Sequence, residues 1–283
     1  MNWLKDPHGQ APSSMDLSYL SDHYARQYRK NQKTKTSART LPFRFSLRDQ
    51  GRLLLVEDQG SLSTCWAITG IEGAAQTLYD QEHGLQLSSL HAAWYTLTGK
   101  EEEILQMNGD PYGNGGSSSL LAPSLAAWKG PIREEKLPMS DFDRIPDESM
   151  RYEADFHLQD AFCLPTSAYE DPDRNTVDQQ IIKQVVYDYG PAVINVNVGN
   201  YSGYIEETNA WDNEPGHLTD HVVQIIGWDD SFSRENFNES AQPEHDGAWL
   251  VQNSWGYDWG ENGTHWLSYE DSAISFGTVF LLE

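Results

Sequence analysis

The chain has 283 residues, 12% of them aromatic, and carries 43 acidic against 19 basic side chains for a formal charge of −24. That length can bury a sizeable core, and 10 Trp with 14 Tyr exclude a disordered, solvating polymer. A surface so acidic repels phosphate backbones and anionic lipid, and no long apolar run occurs, so neither nucleic acid nor membrane insertion is expected. Two cysteines, Cys65 and Cys163, are too few for a disulfide framework.

Residues 1–40 are polar and hold the basic cluster Arg26, Arg29, Lys30, Lys33, Lys35 and Arg39. They are read as an N-terminal extension or arm, with a short helix that Ser18 could cap. From Leu41 the composition turns globular, and residues 41–283 are read as one domain. Leu53-Leu54-Leu55-Val56 is a strand-like run. It feeds the polar loop Asp58-Gln59-Gly60-Ser61-Leu62-Ser63-Thr64, which runs into Cys65. Beyond it Trp66, Ala67, Ile68, Ile71, Ala74, Ala75 and Leu78 recur at the spacing of a buried helix face. A second helix is predicted from Ser88 or Ser89, through Leu90, Ala93, Trp94 and Leu97. A glycine- and serine-rich loop from Asn108 to Ser119 contains Asn114-Gly115-Gly116. A third helix follows through Leu120, Leu121, Leu125 and Trp128, and Gly130-Pro131 ends it.

Residues from Pro138 to Asp173 are polar and turn-rich, the composition of a crossover between lobes. Thr176 to Tyr189 reads as a further helix, stopped by Gly190-Pro191. The period then changes. Ala192–Val198 alternates like a half-buried strand, and His221–Trp228, Gly247–Gln252, His265–Tyr269 and Phe276–Leu282 supply four more. Helices gathered early and strands late predict an α+β fold of two unlike lobes, a helical one over about 50–140 and a β-rich one over about 141–275.

Cys65 is predicted in the first turn of its helix, where unpaired backbone N–H groups and the helix dipole favour a thiolate. His221 opens an otherwise apolar strand just after Asp220, and Asn253 ends another. A thiolate nucleophile needs a nearby base, and the base's other ring nitrogen needs an acceptor to fix its tautomer. Cys65, His221 and Asn253 are one of each.

Gln59 six residues before Cys65-Trp66, Asp220-His221, Asn253-Ser254-Trp255-Gly256 and Trp259-Gly260-Glu261 together resemble the papain-like cysteine peptidases. The separations of 156 residues from Cys65 to His221 and 32 from His221 to Asn253 suit that family. So do Asn114-Gly115-Gly116 and Tyr189-Gly190-Pro191-Ala192-Val193. The stretch Gly227-Trp228-Asp229-Asp230 to Gly247-Ala248-Trp249 is similar to the bacterial and archaeal branch, whose members are often exported. The resemblance covers about Leu41 to Glu283. It implies a helical left lobe and an antiparallel sheet or barrel on the right, with the active-site cleft between them.

It further implies a peptidase using a Cys65–His221–Asn253 triad, with Gln59 and the Cys65 N–H holding the oxyanion and Trp255 shielding the His–Asn bond. Ser63, Trp66, Gly115, Gly116, Thr219 and Asp220 would line the substrate cleft. The partners implied are a peptide or protein substrate, and a prosegment or inhibitor in the cleft; no cofactor and no metal is implied. The resemblance leans towards an extracellular or cell-surface location, without a signal peptide in the given chain. Leu62-Ser63-Thr64 departs from the family's Cys-Gly-Ser before the nucleophile: Leu62 removes a disulfide cysteine, and Ser63 stands where a glycine lets substrate backbone pass. Two other readings use the same residues, a catalytically weak binding or adhesion module and an acyltransferase.

Overall fold

The computed structural model describes residues 40–52, 55–99, 110–164, 172–199, 201–213, 219–271 and 274–283. The expected N-terminal arm with its Ser18 helix, and Leu53-Leu54 of the expected strand, lie outside the described residues. Leu55 and Val56, the rest of that run, belong to no strand.

Three helices occupy the first half: α1 (Cys65–Gln76), α2 (Ser89–Leu97) and α3 (Ser118–Ala126). The Ser88 side chain caps α2 by accepting from the His91 N–H, and its hydroxyl also donates to the Leu137 carbonyl at 2.6 Å. Ser117 caps α3 on Ser119. The fourth helix, α4 (Pro172–Asp188), lies between strands.

Among the described residues nine strands form one sheet: β1 (Arg44–Ser46), β2 (Leu158–Leu164), β3 (Ala192–Val196), β4 (Tyr204–Ile205), β5 (Ala210–Trp211), β6 (His221–Asp229), β7 (Ala248–Gln252), β8 (Thr264–Ser268) and β9 (Ser275–Leu282). Their spatial order is β2-β9-β3-β6-β7-β8-β5-β4, with β1 added on β6. All pairings are antiparallel except β5 with β8.

The two-residue period of the strands sorts their side chains between two cores. Val193, Val222, Phe280 and Leu282 join the apolar faces of α1, α2 and α3. Their neighbours Ala192, Ile194, Val223, Ile225 and Val279 join Ile181, Ile182, Val185 and Val186 of α4 on the other face. A sheet covered on both faces explains why β3 and β6 are buried along their whole length. The architecture is α+β, as the segregation of periods predicts.

Two expectations are corrected. Pro138–Asp173 is not all connection, because β2 pairs along β9 from Leu158 to Leu164. Its sequence carries Gln159 and Asp160, and a register shift between Leu158 and Asp160 breaks the alternation that marks a strand. Trp128 does not continue the buried face of α3. The helix ends at Ala126, and Trp128 sits at φ +63° with 60% of its surface exposed, its ring 4.0 Å from that of His157.

Candidate active site

Cys65 is the first residue of α1, where the backbone enters the helix without a side-chain cap. Four residues on, the Thr69 hydroxyl donates to the Val222 carbonyl at 3.2 Å, which ties α1 to the start of β6, where His221 stands. Cys65 and His221 are both 0% exposed. The sheet then supplies the third member: β7 pairs beside β6 in antiparallel register, Gln224 facing Gln252, and Asn253 follows directly.

The His221 Nε2 lies 2.7 Å from the Asn253 Oδ1. That oxygen also accepts the Ser254 backbone N–H at 2.8 Å, so the amide can present only its carbonyl there. The Nε2 is therefore the donor, and a neutral His221 keeps its lone pair on Nδ1. Trp255 covers the imidazole face, with centroids 4.9 Å apart and planes 29° apart, and Trp259 packs edge-on against Trp255 at 4.8 Å.

Gln59 is held from the same side. Its N–H donates to the Ser254 carbonyl at 2.8 Å, and its side-chain Oε1 accepts the Ser254 hydroxyl at 2.6 Å. These two bonds, with the Asp58–Trp255 bridge and the Gly256 N–H on the Glu57 carbonyl, stitch the loop before α1 to the loop after β7. The Gln59 Nε2 spends one hydrogen on the Leu62 carbonyl at 2.7 Å and retains a second.

The glycines of Asn114-Gly115-Gly116 have separate reasons. Gly115 takes φ +72°, the left-handed region that L side chains avoid. At Gly116 a Cβ would come within 2.1 Å of the Trp66 indole. The Ser63 N–H donates to the Tyr112 carbonyl at 2.7 Å and joins this loop to the one before Cys65. On the far side the Asp220 carboxylate accepts the Val198 and Gly199 N–H groups, both at 2.8 Å, and holds the chain between Thr219 and His221.

Every predicted site residue thus falls into one of two flanking groups. Gln59, Ser63, Cys65, Trp66, Gly115 and Gly116 come from the loops around α1, and Thr219, Asp220, His221, Asn253 and Trp255 from the ends of β6 and β7. Sequence reasoning gave no part to Ser254, whose hydroxyl and N–H orient both Gln59 and Asn253; its place inside Asn253-Ser254-Trp255-Gly256 was the available signal. Among the described residues no three His, Cys, Asp or Glu side chains gather as a metal site, and no helix is long and apolar enough to cross a membrane.

Residues 125–277 match the family described as papain family cysteine protease. The chain belongs to that family. It is 28% identical over 249 residues to the viral cathepsin of Heliothis zea nuclear polyhedrosis virus, covering 86% of this chain and 57% of that one. A cathepsin L-like protein of Caenorhabditis elegans is 24% identical over 273 residues, covering 90% of this chain and 72% of that one. Among solved structures, the clostridial cysteine protease Cwp84 after propeptide cleavage matches with a TM-score of 0.67 and 26% identity, over 83% of this chain and 56% of that one. This likeness agrees with the bacterial branch of the family. The procathepsin L2 proteinase of Tenebrio molitor larval midgut, 19% identical with a TM-score of 0.61 over 89% of this chain and 72% of that one, shares the fold. The chain spans little more than half the length of the first curated relatives it matches.

Proposed function

We propose that the chain is a cysteine peptidase in which Cys65 is the nucleophile, His221 the acid and base, Asn253 the orienting group and Gln59 an oxyanion donor. The observation that carries this reading is the 2.7 Å His221–Asn253 bond, whose direction the Ser254 N–H fixes. It leaves Nδ1 as the nitrogen that can exchange a proton with a thiol.

The chemistry follows from those positions. The Cys65 thiolate adds to the scissile carbonyl carbon, and the carbonyl electron pair moves onto oxygen. The Cys65 N–H and the remaining Gln59 Nε2 hydrogen hold that oxyanion. Collapse breaks the C–N bond, and the leaving amine takes the proton of His221 Nδ1. A thioester remains on Cys65. Water then adds to it as His221 accepts its proton, and the acid leaves with the thiolate regenerated. Trp255 keeps water from the His221–Asn253 bond. The substrate runs as an extended peptide between Ser63, Trp66, Gly115 and Gly116 on one side and Thr219 and Asp220 on the other, its backbone pairing with Gly115 and Gly116. On this reading residues 41–283 are the peptidase domain, with about 50–140 and about 141–275 as its lobes and 1–40 as an N-terminal extension or arm.

A proenzyme and a procathepsin among the structural relatives support a prosegment or inhibitor as a partner of this cleft.

Mass-spectrometric cleavage profiling of a peptide library with wild type and Cys65→Ala tests the proposal. New termini are expected with wild type alone, together with labelling of Cys65 by a vinyl-sulfone probe. Labelling with an intact library would instead indicate acyl transfer to another acceptor. Identical profiles and no labelling would leave a binding module.

A further inference from the structure

Behind the site, one carboxyl group gathers segments from all four candidate catalytic residues. Glu72 stands on α1 seven residues, about two turns, beyond Cys65. Its Oε1 accepts the Glu57 backbone N–H at 3.1 Å, two residues before Gln59. Its Oε2 accepts the Gln224 Nε2 at 3.0 Å and the Gln252 Nε2 at 3.1 Å. Gln224 lies three residues beyond His221 on β6, and Gln252 immediately precedes Asn253. The same Gln252 amide also donates to the Leu55 carbonyl at 2.5 Å, so the loop leading to Gln59 is held twice.

We infer that Glu72 is a positioning residue for the proposed catalytic set, fixing the spacing between the helix that carries Cys65 and the strand ends that carry His221 and Asn253. It touches no reacting atom and acts through Gln224, Gln252 and the 55–57 backbone.

Two observations separate this role from ordinary packing. Gln224 is fully buried and Gln252 nearly so, and each leaves its Oε1 without a partner while turning Nε2 to the carboxyl group. Interior amides that forgo an acceptor's partner in this way are uncommon, and the arrangement serves Glu72 rather than the glutamines. In addition, no cation lies beside this carboxyl group in the described surroundings; burial, and then the neighbouring acid Glu57, hold its pKa well above the ordinary carboxylate range. Hydrogen bonds alone hold it, so their directions set the geometry.

This inference rests on the peptidase reading, and its test separates the two. The full chain is compared with Glu72→Gln and with Gln224→Met, each checked for native fold by near-UV circular dichroism. The readouts are kcat and KM on a cleaved library peptide, and the pH profile of Cys65 alkylation by iodoacetamide. Glu72→Gln turns one acceptor into a donor that faces either the Glu57 N–H or the two glutamine amides. We expect its kcat to fall about tenfold to a hundredfold with KM within twofold, and the alkylation profile to shift. Gln224→Met should move both readouts the same way by a smaller factor, and it carries the test if Glu72→Gln does not fold. A folded variant with kcat and alkylation profile within twofold of wild type overturns the inference. If wild-type Cys65 is neither alkylated selectively nor required for cleavage, the peptidase reading itself fails.

Discussion

At the scale of single residues, the site is a set of hydrogen-bond directions, and each can be changed alone. Asn253→Ala removes the acceptor that assigns the His221 tautomer, so kcat/KM is expected to fall by about 10²–10⁴ while the thiol remains alkylatable. Gln59→Ala removes the proposed oxyanion donor and should lower kcat by about 10²–10³, measured on the same peptide. Gly116→Ala places a methyl group within 2.1 Å of the Trp66 ring, so either the indole or the loop must shift. Overpacking of this kind costs about 1–3 kcal/mol, and a lowered thermal midpoint beside a raised KM would register it. The roles proposed for Cys65, His221 and Asn253 are legible in the sequence because the chemistry requires one of each type. What the sequence conceals is the second layer. Ser254 and Glu72 are ordinary polar residues whose importance lies in what the fold sets opposite them, 195 and 152 residues away for the Ser254–Gln59 and Glu72–Gln224 bonds.

At the scale of elements, the legible ones are those with a clean period. The helix from Cys65 and the strands β3, β6 and β7 each bury a continuous face, and the sequence displays it. β2 escapes notice because it is irregularly registered, with Asp160 beside the shift and only one strand neighbour. The α3 terminus is misjudged by two residues because Trp128 has the right spacing for the helix face but the wrong backbone region. Strand β9 also serves both cores, its Val279 in the core with α4 and its Phe280 and Leu282 in the core with α1–α3. Phe280 is 1% exposed. Phe280→Ala should therefore cost about 3–5 kcal/mol in urea unfolding and loosen the helical side most, which hydrogen exchange on α1 would reveal.

At the scale of the whole molecule, several buried titratable groups set how stability depends on pH. Burial pushes the Asp212 carboxyl up to about 8, with Asp271 adding to the effect, and pushes Glu57 up to about 7. Folded pKa values above the unfolded ones mean that the native state holds these protons more tightly. Their contribution is complete below about pH 4 and is lost as pH rises towards 8. His91 and His265 behave oppositely: burial lowers them to about 4 and about 3, so their contribution is complete above about pH 6.5 and disappears as pH falls through those values. Above pH 6.5 the carboxyls still change, and so does His245, which its hydrogen bond to Glu270 raises; both lose their contribution as pH rises. The thermal midpoint should accordingly drop between pH 6.5 and 8.5, and Asp212→Asn should flatten that drop; an unchanged slope would contradict the assignment. The net charge of −24 adds self-repulsion in the same direction.

The place of β9 between β2 and β3 has a consequence for biosynthesis. Vectorial translation releases β2 more than 110 residues before the strand it pairs with. At cellular elongation rates that is a delay of roughly ten seconds, during which the Leu158–Leu164 edge has no partner and α1–α3 lack Phe280 and Leu282. The helical half therefore cannot mature while its own residues emerge from the ribosome. It becomes native only when β9 arrives, so a nascent chain arrested before Ser275 should be protease-sensitive across α1–α3 and an otherwise identical one extended past Leu282 should not.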